Sequence, residues 1–155
     1  FFSTKAKDRV YFELNNRVKI SALRRANFGF EISSEGELEQ VKVLVDHLLD
    51  LGETVEIIYC SDSVERQCLD IATKYPEQVR LLRLPILCFN PLSSLNNPAS
   101  WLTCHTFFMC RYDFFPELIH YGKKKNVNFV LVSAAIKKFS SKNFLEKIYL
   151  KNTYR

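Results

Sequence analysis

Short apolar runs alternate with amphipathic stretches along the chain from residue 28 onward. The runs are rich in β-branched and aromatic residues, which favour strands. They predict five strands, at residues 28–33, 54–60, 79–84, 105–110 and 128–133. Between most of these runs, apolar residues recur at helical spacing. Alternating strands and helices are typical of an α/β fold, so the pattern predicts a Rossmann-like parallel sheet flanked by helices.

Polar, glycine and proline residues mark the ends of the predicted helices. The first helix follows Ser33-Ser34-Glu35-Gly36 and stops at Gly52, because glycine favours the turn that ends a helix. The second follows Ser61-Asp62-Ser63, whose side chains are good N-terminal caps, and closes at Pro76. Pro116 is well placed to begin the third helix.

Three regions follow from this pattern. Residues 28–139 hold the predicted sheet and its helices, including a long connection at 85–104. Residues 1–27 form a basic N-terminal segment, which we interpret as membrane-proximal. Residues 140–155 predict a terminal helix. Its apolar stripe consists of Phe144, Leu145, Ile148 and Tyr149.

The net charge of +5 is concentrated at the two ends of the chain. Residues 1–27 contain seven Lys or Arg against two acidic residues, and residues 137–155 contain six against one. Residues 28–136 contain nine against fourteen. Basic ends of this kind suit anionic lipid head groups, phosphates or nucleic acid. An ordinary solvated surface is an equally good interpretation.

Cysteine usage and hydropathy bear on where the protein works. Five cysteines, an odd number with no Cys-x-x-Cys pair, argue against a disulfide framework and against a zinc site. A reducing, cytoplasmic setting fits best. No run reaches the roughly 18 consecutive apolar residues that a membrane-spanning helix needs. Because the chain begins with two aromatic residues, Phe1 and Phe2, an anchor upstream of it is one interpretation.

The turn after the first predicted strand carries the first candidate site. Ligands of parallel sheets gather at the carboxyl ends of the strands, and Ser33-Ser34-Glu35-Gly36-Glu37 follows such an end. Glycine allows a tight turn, the serine hydroxyls and helix amides can hold an anionic or hydroxylated ligand, and a carboxylate can act as a base. The same Ser-x-x-Glu pattern is also a common capping box, and both interpretations stay open.

The second candidate site follows the fourth predicted strand. Arg111 and Asp113 leave that strand just before two aromatic residues and Pro116. A guanidinium offers two parallel donors for a phosphate or a sugar hydroxyl, and a neighbouring carboxylate can orient it. A surface ion pair over a packed aromatic corner is the alternative.

In this order, Ser-Ser-Glu-Gly-Glu at 33–37 and Arg-Tyr-Asp-Phe-Phe-Pro-Glu-Leu at 111–118 resemble the motifs of Kdo transferases. These enzymes add 3-deoxy-D-manno-octulosonic acid (Kdo) to a lipid A precursor. The resemblance covers approximately residues 28–155 and implies the N-terminal, acceptor-side lobe of a GT-B glycosyltransferase. Two departures stand out: Phe115 occupies the place of the usual tryptophan, and Ala135 that of an arginine.

The resemblance also implies roles for individual residues. Glu37 would be the general base that takes a proton from the acceptor hydroxyl as it attacks the activated Kdo. The acceptor-binding residues would be Ser34, Gly36, Arg111, Asp113 and Lys137. Lys137 enters this set because it, or Lys138, would supply the charge of the missing arginine.

The resemblance implies partners and a location as well. The acceptor is the lipid A precursor, the donor is CMP-Kdo, and the donor would bind through a second lobe that follows residues 140–155. A fragment without that lobe is expected to be inactive alone. We expect no cofactor and no metal, and contact with an anionic membrane surface. The expected place of work is the cytoplasmic face of the bacterial inner membrane, with the protein peripheral or anchored through upstream residues.

Two other classes of protein share parts of this pattern. A non-catalytic α/β module that binds an anionic ligand, such as a nucleotide or nucleic acid, would use the basic ends. The sequence lacks Gly-x-Gly-x-x-Gly, a P-loop and an RNA-binding aromatic pattern, so no nucleic acid partner is expected. A flavodoxin-like or regulatory domain is compatible with the predicted elements but has no evident site.

Overall fold

A computed structural model describes residues 25–59, 61–83, 102–110 and 116–133. Five strands form its centre: β1 (Phe28–Ile32), β2 (Val55–Tyr59), β3 (Val79–Arg83), β4 (Thr106–Cys110) and β5 (Asn128–Val132). Within these ranges the helices are α1 (Glu35–Asp50), α2 (Asp62–Lys74) and α3 (Pro116–Lys124). Each strand lies within one residue of its predicted bounds at either end. The predicted order of strands and helices is therefore confirmed.

The five strands are all parallel and lie in the order β3-β2-β1-β4-β5. With its flanking helices, this sheet has an α/β Rossmann-like fold, as the sequence predicts. The chain moves outward from β1 through β2 to β3, then returns to the other side of β1 to form β4 and β5. The direction of winding thus reverses between β1 and β4, which is the topological switch point of such a sheet.

The reversal determines which face of the sheet each helix covers. Right-handed crossovers place α1 and α2 on one face, because both connections progress in the same direction. On that face, Phe30 and Ile32 of β1 pack with Val41 and Val45 of α1. The connection through α3 progresses the other way, so α3 lies on the opposite face. There, Leu118 packs with Phe107 and Met109 of β4.

Local chemistry fixes the ends of α1 and α2. The hydroxyl of Ser34 accepts a hydrogen bond from the amide of Glu37, and that of Ser61 accepts one from the amide of Ser63. These bonds supply acceptors to amides of the first helical turn, which lack the carbonyl partner four residues back that later amides have. After α1, Gly52 adopts φ of +79°, a left-handed conformation that residues with a side chain rarely adopt. The predicted stop at Gly52 is confirmed.

A second glycine allows two elements to approach closely. A Cβ atom at Gly29 of β1 would overlap the Phe107 ring and the Cys104 sulfur. The short segment 102–104, which runs into β4, can therefore lie directly against the sheet. Leu102 and Cys104 are both buried there.

Some predicted elements fall outside the described ranges. These are most of the basic segment 1–27, the connection between β3 and Leu102, and the predicted terminal helix at 140–155. Among the helices that the structure does describe, none combines the length and the apolar character needed to cross a membrane.

Candidate functional site

The switch point brings the carboxyl ends of β1 and β4 side by side. The two strands pair in parallel, with Phe28 opposite Thr106 and Phe30 opposite Phe108. At its carboxyl end β1 continues into Ser33 and the first turn of α1, while β4 ends at Cys110. A crevice between strand ends at a switch point is where open α/β sheets bind their ligands. We therefore take this edge as the candidate site.

Glu37 and Ser34 form a capping arrangement at the start of α1. The Ser34 hydroxyl accepts the amide hydrogen of Glu37 at 3.4 Å, and the Glu37 carboxylate accepts the amide hydrogen of Ser33 at 2.7 Å. Glu37 is only 5% exposed. The local geometry is thus close to the capping box that the pattern allowed. Because the cap occupies one carboxylate oxygen and orients the group, a role for Glu37 as a base stays a prediction.

Gly36 is exposed and stands second in α1. Ser34 is half-buried directly before the helix. Two acidic residues, Glu35 and Glu37, occupy the first turn, where the helix dipole favours negative charge. Ser34, Gly36 and Glu37, the predicted residues of the first candidate site, therefore all lie at the start of α1.

Glu31, the fourth residue of β1, is a site residue that the sequence pattern did not predict. Its side chain is fully buried and accepts a hydrogen bond from the hydroxyl of Ser33. Phe30 and Ile32 point toward α1, so Glu31 points to the other face of the sheet. The signal that could have found it was a carboxylate inside an otherwise apolar strand, because burying such a charge is costly.

A second set of polar contacts lies at the same carboxyl edge of the sheet, at the ends of β2 and β3. The Tyr59 hydroxyl donates to Glu65 of α2 at 2.7 Å, and Arg83 forms an ion pair with Asp62. Burial is the largest cause that raises the pKa of Tyr59 above its ordinary value, and the hydrogen bond to Glu65 raises it further. These contacts join α2 to the strand ends and keep Tyr59 protonated. We assign them a structural role.

A third set of polar contacts lies at the opposite edge of the sheet, where the strands begin. Arg80 Nε contacts Glu56 Oε2 at 2.9 Å, and the side chains are 4% and 0% exposed. Thr103 donates to Glu56 from both its amide and its hydroxyl, the latter at 2.8 Å. The last residues of the long connection at 85–104 thus belong to the core at the amino edge of the sheet.

Lys125 belongs to this amino edge too. Residues 123–125 are three consecutive lysines, a pattern that predicts a solvated helix end favoured by the helix dipole, and Lys123 and Lys124 are indeed exposed. Lys125 is half-buried, and its ammonium group donates to the carbonyl of Leu102 at 3.3 Å. Burial lowers the pKa of Lys125. The prediction of a solvated end was wrong for this residue.

Several predicted site residues lie outside the part of the chain that the structure describes. They are Arg111, Asp113 and Lys137, together with Phe115 and Ala135. Residues 85–101 of the long connection lie outside it as well. The structure therefore brings together Ser34, Gly36 and Glu37, and adds Glu31.

A shallow groove of about 330 Å³ runs between α1 and α2, and none of the predicted site residues lines it. Among the described residues, no three His, Cys, Asp or Glu side chains lie close enough together to hold a metal ion. No protein-family model matches the sequence, and no curated protein matches it either.

Proposed function

We propose that this chain is the acceptor-side lobe of a GT-B glycosyltransferase that transfers Kdo from CMP-Kdo to a lipid A precursor. One observation supports this most directly. The turn that carries Ser34, Gly36 and Glu37 leaves β1, and the sequence motif that begins at Arg111 follows β4, the parallel neighbour of β1. The two motifs of the resemblance thus start from adjacent strand ends at the switch point.

In this proposal Glu37 is the catalytic base. It removes the proton from the acceptor hydroxyl while the hydroxyl oxygen forms a bond to the anomeric carbon of Kdo, and CMP leaves with the electron pair of the broken bond. The hydrogen bond from the Ser33 amide fixes the orientation of the Glu37 carboxylate. Glu37 is 5% exposed, so only a small part of its side chain is accessible to the acceptor hydroxyl.

The remaining residues bind the acceptor. Gly36 lacks a side chain and is exposed, so a sugar can approach the first turn of α1 closely. Arg111 is suited to a phosphate of the lipid A precursor, and Asp113 to one of its hydroxyl groups. Lys137 adds positive charge. The basic ends of the chain favour attachment to an anionic membrane, which fits work at the cytoplasmic face of the inner membrane.

Transfer also needs a donor-binding lobe, so the reaction is measured on the full-length protein in which that lobe accompanies this chain. We expect Glu37→Gln to lower the rate by about 10²- to 10⁴-fold, the usual contribution of a general base. Glu39→Gln is the matched control, because Glu39 lies two residues further along α1 and is exposed. Both variants should keep the wild-type melting temperature within a few degrees. Transfer at the wild-type rate by Glu37→Gln would exclude the base assignment.

A further inference from the structure

One serine joins two buried carboxylates at the candidate site. The amide of Ser33 donates to Glu37 at 2.7 Å, and its hydroxyl donates to Glu31. Glu31 is fully buried and Glu37 nearly so. Glu37 stands in the first turn of α1, whereas Glu31 points to the face of the sheet that α3 covers. Ser33 therefore connects the two faces at the carboxyl end of β1.

The place of Glu31 points to a functional use. An apolar residue would stabilise the interior of a strand more, because a buried carboxylate loses its hydration. Positions that break such a local rule are expected at functional sites. Glu56, the other fully buried glutamate in the described strands, lies at the amino edge, where it holds Thr103 and Arg80. Glu31 lies at the carboxyl edge, two residues before Ser33, the first residue of the turn of the candidate site.

We propose that Glu31 is a positioning residue that acts through Ser33 on Glu37, an inference that rests on the proposed function. The bond to Glu31 fixes the side chain of Ser33 and thereby the backbone at the end of β1. The Ser33 amide then holds one oxygen of Glu37 in place. A base has to stay within hydrogen-bond reach of the proton that it removes, and small displacements are costly in rate.

Kinetics of the full-length protein test this coupling. Ser33→Ala removes the hydroxyl but keeps the amide, and Glu31→Leu removes the acceptor. We expect each to lower kcat by roughly tenfold or more at an unchanged KM for the acceptor. The double variant should be no slower than the slower single variant, since both break the same link. Ser33→Thr and Glu31→Gln, which restore a donor and an acceptor, should recover most of the rate.

A matched control and a direct structural measurement accompany the kinetics. Ser63→Ala removes a hydroxyl at the same edge of the sheet, one that lies 3.0 Å from the Ser61 hydroxyl, and should leave kcat unchanged. In the 155-residue chain, Glu31→Leu should speed hydrogen exchange of the residue 33 amide, while the amide of Ile57 in β2 keeps its protection. If Glu31→Leu does not fold, the Ser33→Ala and Ser33→Thr pair decides.

The order of measurements separates the two proposals. Wild-type transfer and its loss in Glu37→Gln are established first. If these hold while Ser33→Ala and Glu31→Leu retain full kcat, Glu31 has no positioning role and the proposed function stands. No transfer by the wild type, or full transfer by Glu37→Gln, overturns both.

Discussion

Two cysteine thiols are held in the protonated form by the interior of the protein. Burial raises the pKa of Cys68 and of Cys104 to about 12 in each case. A thiol of this kind is a weak nucleophile, because the thiolate is the reactive form. Neither cysteine is therefore suited to catalysis, and both serve as small apolar residues in the core.

These thiols predict how stability depends on pH. Between pH 9 and 12 the native state retains protons that the unfolded state releases, so the free energy of unfolding falls as pH rises. Each thiol contributes about 1.4 kcal/mol per pH unit across that window. The raised pKa of Tyr59 acts in the same direction above its ordinary value of 10.0. Urea unfolding in the presence of a reductant, at steps from pH 8 to pH 11, measures this fall.

Lys125 makes the opposite contribution to the pH dependence of the free energy of unfolding, so replacing it provides a control. Its pKa is lowered, so between that value and 10.5 the unfolded state binds more protons and this group alone makes stability rise with pH. Replacing both thiols by Cys68→Ala and Cys104→Ala should flatten the fall, and Lys125→Met should steepen it. An equally steep fall in the double cysteine variant would contradict the account.

Single residues also show the limit of a sequence pattern. The sequence pattern at Ser34 and Glu37 predicted either a capping pair or a ligand-binding turn. The structure shows the capping hydrogen bonds, and ligand binding stays a prediction. Glu31 stood out only as a carboxylate in an apolar strand, and its complete burial depends on the elements packed on the opposite face of the sheet. Lys125 has the same residue type as its two exposed neighbours, but it is half-buried and donates a hydrogen bond to the carbonyl of Leu102, a contact that the sequence does not show.

At the scale of elements, all five strands could be predicted because each is a short apolar run between turn residues. The helix boundaries followed from Ser34, Ser61 and Gly52, whose roles depend only on local geometry. The segment at 102–104 could not be placed from the sequence. Its position depends on Gly29, which leaves room for it, and on Glu56, which binds Thr103 from a distant part of the chain.

The ion pair between Glu56 and Arg80 links β2 to β3, and Glu56 also binds Thr103 in the segment that leads into β4. Arg80→Leu should lower the free energy of unfolding by about 3–5 kcal/mol, because it leaves a buried carboxylate without that partner. Adding Glu56→Gln should recover part of this loss, since the neutral amide still accepts from Thr103. Chemical denaturation gives both values.

A surface pair provides the comparison for this prediction. Lys42 and Asp46 also form an ion pair on α1, but their side chains are 44% and 39% exposed. Lys42→Leu should therefore cost less than about 1 kcal/mol. A loss of similar size in Lys42→Leu and Arg80→Leu would show that burial does not set the strength of these pairs.

At the scale of the whole molecule, the order of the strands is the feature that sequence reasoning did not supply. The pattern predicted a parallel sheet and the positions of its strands along the chain, but pairing between β1 and β4 is a long-range property. That pairing matters for the proposed function, because it makes the ends of β1 and β4 neighbours. Two motifs separated by more than 70 residues thereby start from one edge of the sheet.

If this edge belongs to an acceptor lobe, the 155-residue chain should bind a Kdo-free lipid A precursor in detergent micelles. We predict that the wild type binds, that Arg111→Ala weakens binding by roughly tenfold or more as a charged hydrogen bond is lost, and that part of the difference persists as salt is raised. Arg66→Ala, which removes an exposed arginine from α2, should bind like the wild type. Two results would contradict this expectation. One is a well-folded wild type whose affinity for micelles with the lipid A precursor is no higher than its affinity for empty micelles. The other is an equal loss of binding in Arg66→Ala.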